Sequence, residues 1–139
     1  MEDTITIRTE LVSENCIQIA LAGRFDATSV NTMKEVFKDL IGGAVNQVIV
    51  DMDQVSFVDS AGLSALVSAL KLVRRIGGDL VIAGMQPQAK TVFALTMLDQ
   101  VIPIYANRQE ALAAMHQQDE LDAGGGRSSR ADRDGRPPA

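Results

Sequence analysis

The chain has 139 residues, a length typical of a single domain whose core is large enough to fold without metals or disulfides. Apolar residues make up 46% of it and the net charge is −5, which argues against a surface for nucleic acid or anionic membranes. The single cysteine, Cys16, excludes an intrachain disulfide. The N-terminus shows no secretory signal and no apolar run is long enough to cross a bilayer, so we expect a cytoplasmic protein.

The first third of the chain predicts a hairpin and a helix. Apolar residues alternate over 4–12 and 16–23, which indicates two antiparallel strands joined by a short turn. A helix follows, for which Asp26 or Thr28 can provide the cap, and the glycine pair 42–43 ends it.

The middle of the chain predicts a strand, a loop and a second helix. Residues 47–52 are short, β-branched and mostly apolar, as in a central strand, and residues 53–59 predict a loop. Ser60 begins a helix with apolar residues at i, i+3, i+4 and i+7 spacing, which stops at the glycine pair 77–78.

The remaining elements complete an α/β domain with a β-β-α-β-α-β-α-β-α order. They are a strand at 79–84, a helix at 89–98, an edge strand at 101–105 and a helix that begins with a capping box at 107–110 and ends near 115–117. The order indicates a mixed sheet of about five strands with helices mainly on one face, which leaves the other face partly exposed. We assign residues 1–118 to the domain and expect a disordered Gly/Arg/Asp/Pro-rich tail at 119–139.

Candidate catalytic and metal-ligating residues are few. His116 lies near the end of the last helix, and one histidine with one cysteine cannot form an ordinary zinc site. Asp51 and Asp53 lack a clear third ligand, and no glycine-rich phosphate-binding motif occurs. We therefore predict no metal, no cofactor and no enzymatic activity, and we interpret Cys16 as a small buried hydrophobe.

Ser60 has two interpretations. A serine at a helix start usually caps the helix, and position alone favours that role. The same position suits a phosphoryl group, because backbone N–H groups and the positive end of the helix dipole lie there. Asp59 would repel such a phosphate, so the modification would create a dense local charge able to disrupt an interface. Gly62, on the same turn, would let a partner approach closely.

The sequence resembles the STAS domain of bacterial anti-sigma factor antagonists. The resemblance rests on the strand Val48-Ile49-Val50-Asp51-Met52, the motif Phe57-Val58-Asp59-Ser60-Ala61-Gly62-Leu63 and the upstream Gly23-Arg24-Phe25-Asp26, and it extends from about Thr4 to about Met115. Many family members have a second Ser or Thr where this chain has Ala61, which leaves Ser60 as the single hydroxyl of the core motif.

The resemblance implies a partner switch without a cofactor of its own. The unphosphorylated antagonist binds an anti-sigma factor, a serine kinase of the GHKL type, and so releases a sigma factor. The kinase phosphorylates the motif serine, here Ser60, and a PP2C-type phosphatase restores the active form. The implied partner-binding surface consists of Phe25, Asp26, Asp59, Ser60, Ala61, Gly62, Leu63, Ser64 and Met85.

Other functions stay open at the level of sequence. A STAS module can serve as a docking subunit of a lipid-transport complex or of a larger signalling assembly, without phosphorylation. A sensor of small ligands or nucleotides would rest on the helix start alone. A weak homodimer is also left open.

Overall fold

Five strands and four helices follow one another in the predicted order. The computed structural model describes residues 5–123, with side chains described through residue 116. The elements are β1 (Thr6–Leu11), β2 (Cys16–Phe25), α1 (Val30–Leu40), β3 (Gln47–Val58), α2 (Ser60–Arg75), β4 (Asp79–Met85), α3 (Pro87–Leu95), β5 (Ile104–Tyr105) and α4 (Arg108–Ala123), with a 3₁₀ turn at Leu98–Gln100.

The strands form one sheet in the order β1-β2-β3-β4-β5. β1 is antiparallel to β2, and the remaining neighbours are parallel. Because the strand order never reverses, right-handed crossovers place α1, α2 and α3 on the same face. Their buried side chains, such as Phe37, Leu66 and Phe93, pack there against Ile19, Val50 and Ile82. The prediction that helices lie mainly on one face is confirmed.

α4 covers part of the opposite face, which corrects the expectation of four helices on one side. Ile49 and Val81 point to this face and form a second apolar cluster with Ala111 and Met115 of α4. Cys16 belongs to the cluster and is 4% exposed, as expected of a small buried hydrophobe. The helix begins with the predicted capping interaction, in which the Glu110 N–H donates to Asn107 Oδ1 at 2.9 Å.

One predicted boundary in the middle of the chain is wrong. β3 continues to Val58, although 53–59 was expected to be a loop. Val55 and Val58 are both buried although they are three residues apart, because the pairing with β2 shifts between Gly23–Val55 and Arg24–Phe57 and leaves Ser56 as an extra, exposed residue. Phe57, between these two valines, is only half-buried.

Two boundaries near the C-terminus also differ. α3 starts at Pro87, because proline is favoured in the first turn of a helix, where its missing N–H costs nothing. α4 continues to Ala123, so residues 119–123 are helical rather than part of a disordered tail. The predicted tail from residue 124 onward lies outside the described residues.

Candidate functional site

Ser60 follows the carboxyl end of β3, which pairs there with the carboxyl end of β2. It is the first residue of α2 and its side chain is exposed. Its hydroxyl forms no hydrogen bond to any residue that the structure describes in side-chain detail. The single hydroxyl of the core motif is therefore open to solvent.

Asp59, rather than Ser60, caps α2. Its backbone is extended (φ −122°, ψ −170°), and its Oδ1 accepts hydrogen bonds from the N–H groups of Ala61 at 2.9 Å and Gly62 at 3.1 Å. Asp and Ser are comparable as N-cap residues, and the one that precedes the first helical residue takes the role. The interpretation of Ser60 as the cap is wrong.

The Asp59 cap changes how a phosphate on Ser60 would be received. Backbone donors of the first turn, expected to be available to a phosphoryl group, already bind the Asp59 carboxylate. A phosphoryl group would add close to two negative charges beside that carboxylate. The arrangement favours a charge displayed at the surface over one neutralised within the domain.

Gly62 allows α2 to pack against the end of β2. It is buried, and a Cβ atom at this position would overlap the carbonyl oxygen of Phe25. The same carbonyl accepts a hydrogen bond from the Asp59 N–H at 3.4 Å. The interpretation of Gly62 as an opening for a partner is therefore wrong, because its missing side chain serves a contact within the domain.

The predicted partner-binding residues lie at the end of β2, at the start of α2 and, for Met85, at the end of β4, and they divide by exposure. Ser60 and Ser64 are exposed, and three others are partly exposed: Asp59, Ala61 and Met85. Phe25, Gly62 and Leu63 are buried, and Asp26 is 9% exposed. The buried group shapes the surface, and the exposed and partly exposed group forms it.

Asp26 holds a negative charge in the turn between β2 and α1. Its Oδ1 accepts a hydrogen bond from the Thr28 hydroxyl at 2.6 Å, which lowers the pKa of the carboxyl group, although burial opposes the shift. The Thr28 N–H and the Arg24 guanidinium, at 3.2 Å, also lower this pKa. Neither Asp26 nor Thr28 caps α1 as predicted, since its N-cap residue is Ser29.

Arg24 connects the two strand ends beside the site, a feature that the sequence analysis did not identify. Its guanidinium carbon lies 4.1 Å from the centroid of the Phe57 ring while the group also pairs with Asp26. The ring and the ion pair fix a long cationic side chain next to the motif. Arg24 and Phe57 each stand in one of the two motif segments, which was the signal available from sequence. Their contact could not be predicted, because it depends on the register between β2 and β3.

Two glutamines, Gln86 and Gln88, support the end of β3, a role that the sequence did not indicate. Pairing between β3 and β4 ends at Met52 and Met85, whereas β2 pairs with β3 as far as Val58. In the place of β4, the Gln88 amide bonds both the N–H and the C=O of Val58 at 2.9 Å. Gln86 Nε2 donates to the Asp53 carbonyl at 2.9 Å. The overhanging part of β3, residues 53–58, pairs with β2 on one side and is held at Asp53 and Val58 on the other.

Metal and membrane sites receive no support in the described part of the chain. No group of three His, Cys, Asp or Glu side chains there could hold a metal ion. His116 is exposed, as expected. Among the described helices, none is long and apolar enough to cross a bilayer.

Comparisons with known proteins agree with this arrangement. The model of the STAS domain matches residues 9–111. The anti-sigma-B factor antagonist of Bacillus subtilis (strain 168) is 31% identical over 97 residues, which cover 70% of this chain and 88% of that protein.

Solved structures of the anti-sigma factor antagonist SpoIIAA share the fold. The unphosphorylated form superposes with a TM-score of 0.71 at 21% identity, over 81% of this chain and 97% of that one. The phosphorylated form from Bacillus gives a TM-score of 0.64 at 23% identity, over 78% and 98%. The family model and these structures together define the class of this single α/β domain. The chain belongs to the STAS domain family.

Proposed function

We propose that this chain is an anti-sigma factor antagonist controlled by phosphorylation of Ser60. In the unphosphorylated form it binds an anti-sigma factor that is a serine kinase of the GHKL type, and a sigma factor is released. Phosphorylation of Ser60 ends the binding, and a PP2C-type phosphatase reverses it. The chain acts as a regulator rather than as an enzyme, and it acts in the cytoplasm, where sigma factors work.

One observation carries the proposal: the Ser60 hydroxyl is exposed at the start of a well-anchored helix and forms no hydrogen bond to the described residues. A kinase needs a hydroxyl that can reach its active site without unfolding the substrate. The support beneath Ser60, from the Asp59 cap and the Phe25 contact with Gly62, does not involve that hydroxyl. Modification therefore costs the fold no hydrogen bond.

Electrostatics supports release as the effect of phosphorylation. Asp59 occupies N–H donors of the first turn, and Asp26 holds a second carboxylate on the same edge of the sheet. Asp26 is already paired with Arg24, so a phosphoryl group on Ser60 would add close to two negative charges beside the Asp59 carboxylate without a free cationic partner from that pair. A kinase surface that is complementary to the unphosphorylated form should then bind the phosphorylated form more weakly, because the phosphoryl group adds both charge and volume.

The test of the site uses purified kinase, ATP and the full chain. The kinase is identified as the ATP-binding protein that copurifies with this chain. Wild type and Ser64→Ala should accept one phosphate, whereas Ser60→Ala should accept none, as read by mass spectrometry of the intact protein. Ser64→Ala is the matched control, because Ser64 is an exposed serine one turn further along α2. Phosphate transfer to Ser60→Ala at the wild-type rate would contradict the assignment.

The test of the switch measures binding to the same kinase. Ser60→Asp should weaken the complex by about tenfold or more, whereas Ser60→Ala should bind as well as wild type. Equal affinity of the Asp and Ala variants would overturn release by charge. Copurification with a membrane-bound transport ATPase in place of a kinase would overturn the antagonist function itself and favour a docking subunit.

A further inference from the structure

β1 exposes an unpaired edge that is complementary to itself. It lies at one edge of the sheet, and within the described residues β2 is its one neighbouring strand. Its side chains are exposed except for Ile7, and Leu11 is 61% exposed. An exposed edge strand with an exposed large apolar side chain is a template for pairing with another chain.

The hydrogen bonds to β2 define which backbone groups of β1 face outward. The Val12 N–H donates to the Cys16 carbonyl at 2.9 Å, one step beyond the pair Leu11 and Ile17 in the ladder. Antiparallel ladders alternate between hydrogen-bonded and non-hydrogen-bonded pairs, so the even-numbered residues of β1 bond to β2. The N–H and C=O groups of the odd-numbered residues Ile7, Thr9 and Leu11 therefore point to the open edge.

We propose that two copies of this chain associate by antiparallel pairing of their β1 edges about a twofold axis at Thr9. In this register Thr9 faces its own copy as a hydrogen-bonded pair, which uses the outward backbone groups. Ile7 of each copy faces Leu11 of the other, so the exposed leucine gains an apolar neighbour. The result is one continuous sheet of ten strands.

The charges select this register. Arg8 lies opposite the partner subunit's Glu10 as a non-hydrogen-bonded pair, where cross-strand side chains are nearest, and the symmetry makes this ion pair twice. A shift of one strand by two residues would place Arg8 opposite its own copy, or Glu10 opposite its own copy, and like charges directly opposite are destabilising. Neither side chain forms an ion pair with another described side chain.

Charged side chains on an edge usually prevent pairing, and here they restrict it to one partner. An unrelated edge strand meets an uncompensated arginine and glutamate, whereas a second copy neutralises both. The pairing covers only the six residues Thr6–Leu11, which is small for a stable complex. The dimer is therefore weak and depends on concentration.

Charge reversal tests the pairing in the full chain. Sedimentation equilibrium up to about 1 mM should show the mass of wild type rising towards twice that of the monomer. Arg8→Glu and Glu10→Arg should each weaken association by about tenfold or more, because each places like charges opposite one another. The double variant R8E/E10R should regain wild-type association. Arg75→Glu, an exposed reversal on α2, should have no effect.

Cross-linking tests the register. Residues that face each other in a hydrogen-bonded pair have Cα atoms about 5.5 Å apart, within the range of a disulfide. Thr9→Cys should therefore form a covalent dimer on mild oxidation. Thr6→Cys is the matched control on the same strand, since its two copies would lie about 20 Å apart. Cys16 is buried and does not compete.

The proposal is overturned by a wild type that remains monomeric throughout, by a double variant that fails to regain association, or by equal cross-linking at positions 6 and 9. Circular dichroism confirms that the variants fold, which is expected because Arg8 and Glu10 are exposed. Phosphate transfer to Ser60 is measured separately on the monomer, so the pairing and the antagonist function can fail independently.

Discussion

Two serines begin neighbouring helices and have opposite roles. Ser29, the N-cap residue of α1, is 4% exposed, and its Oγ accepts from the Asp26 N–H at 3.1 Å and lies within hydrogen-bonding distance of the Arg24 and Asp26 carbonyls. Ser60, at the start of α2, is exposed and bonds to none of the described residues. The side chain of the preceding residue explains the difference at α2, because Asp59 caps that helix.

The comparison teaches that a helix-start serine becomes available for chemistry when another residue does its structural work. At Ser29 the hydroxyl holds the turn between Arg24 and Asp26, so a modification there would break internal bonds. At Ser60 the start of the helix is held instead by the Asp59 cap and by the contact of Gly62 with Phe25. Four experiments test how far this division holds, starting with the largest expected effect.

Gly62→Ala should destabilise the domain by about 3 kcal/mol, because the added methyl group overlaps the Phe25 carbonyl and the backbone must move. Urea unfolding gives the free energy directly. Ser64→Ala, exposed on the same helix, should change it by less than about 0.5 kcal/mol. A fully stable Gly62→Ala variant would mean that the contact with Phe25 does not fix the position of Ser60.

Ser29→Ala should cost about 1–2 kcal/mol, because the buried Asp26 N–H loses its acceptor. Ser60→Ala should stay within about 0.5 kcal/mol of wild type, since an exposed, unbonded hydroxyl is removed. Urea unfolding of the two variants side by side measures the comparison. Equal losses would remove the distinction between the two serines.

Asp59→Ala should destabilise the domain by about 1 kcal/mol, the usual contribution of a cap, and Asp59→Asn by much less, because asparagine can accept the same bonds. Thermal unfolding of the pair separates the cap from the charge. If Asp59→Ala left the stability unchanged, Ser60 or water would have to replace the cap, and the Ser60 hydroxyl would no longer be independent of the fold.

Asp26 should make the free energy of unfolding fall slightly at acid pH. Its pKa in the folded protein lies below the ordinary value of 3.8, mainly through the Thr28 hydroxyl, so its contribution to stability is complete above pH 3.8. The contribution is lost as the pH falls through the folded pKa. Urea unfolding between pH 2 and 6 should therefore show a flatter acid limb for Asp26→Asn than for wild type. Identical profiles would contradict the role of the Thr28 bond.

The elements of the fold could be predicted from sequence because they depend on local patterns. The i, i+3, i+4, i+7 spacing after Ser60 and the β-branched run at 47–52 gave the right types of element. The end of β3 was missed because the exposed polar residues Asp53, Gln54 and Ser56 resemble a loop.

The position of the site could be predicted from its motif, but the separate roles of its residues could not. Sequence places Asp59, Ser60 and Gly62 on one turn, and it does not say which backbone groups meet which side chains. The cap by Asp59 and the contact of Gly62 with Phe25 depend on the packing of α2 against β2. The Gln88 bonds to Val58 connect residues 30 positions apart, beyond any local pattern.

The overhang of β3 bears on the speed with which a partner can be recognised. Gln86 and Gln88 hold Asp53 and Val58 in the place of a missing strand, so the residues leading to Ser60 are ordered before any encounter. A docking surface of this kind does not have to order a loop on contact. In the proposed complex, association would then be governed by diffusion and charge, and the proposed phosphate on Ser60 would act on the association rate.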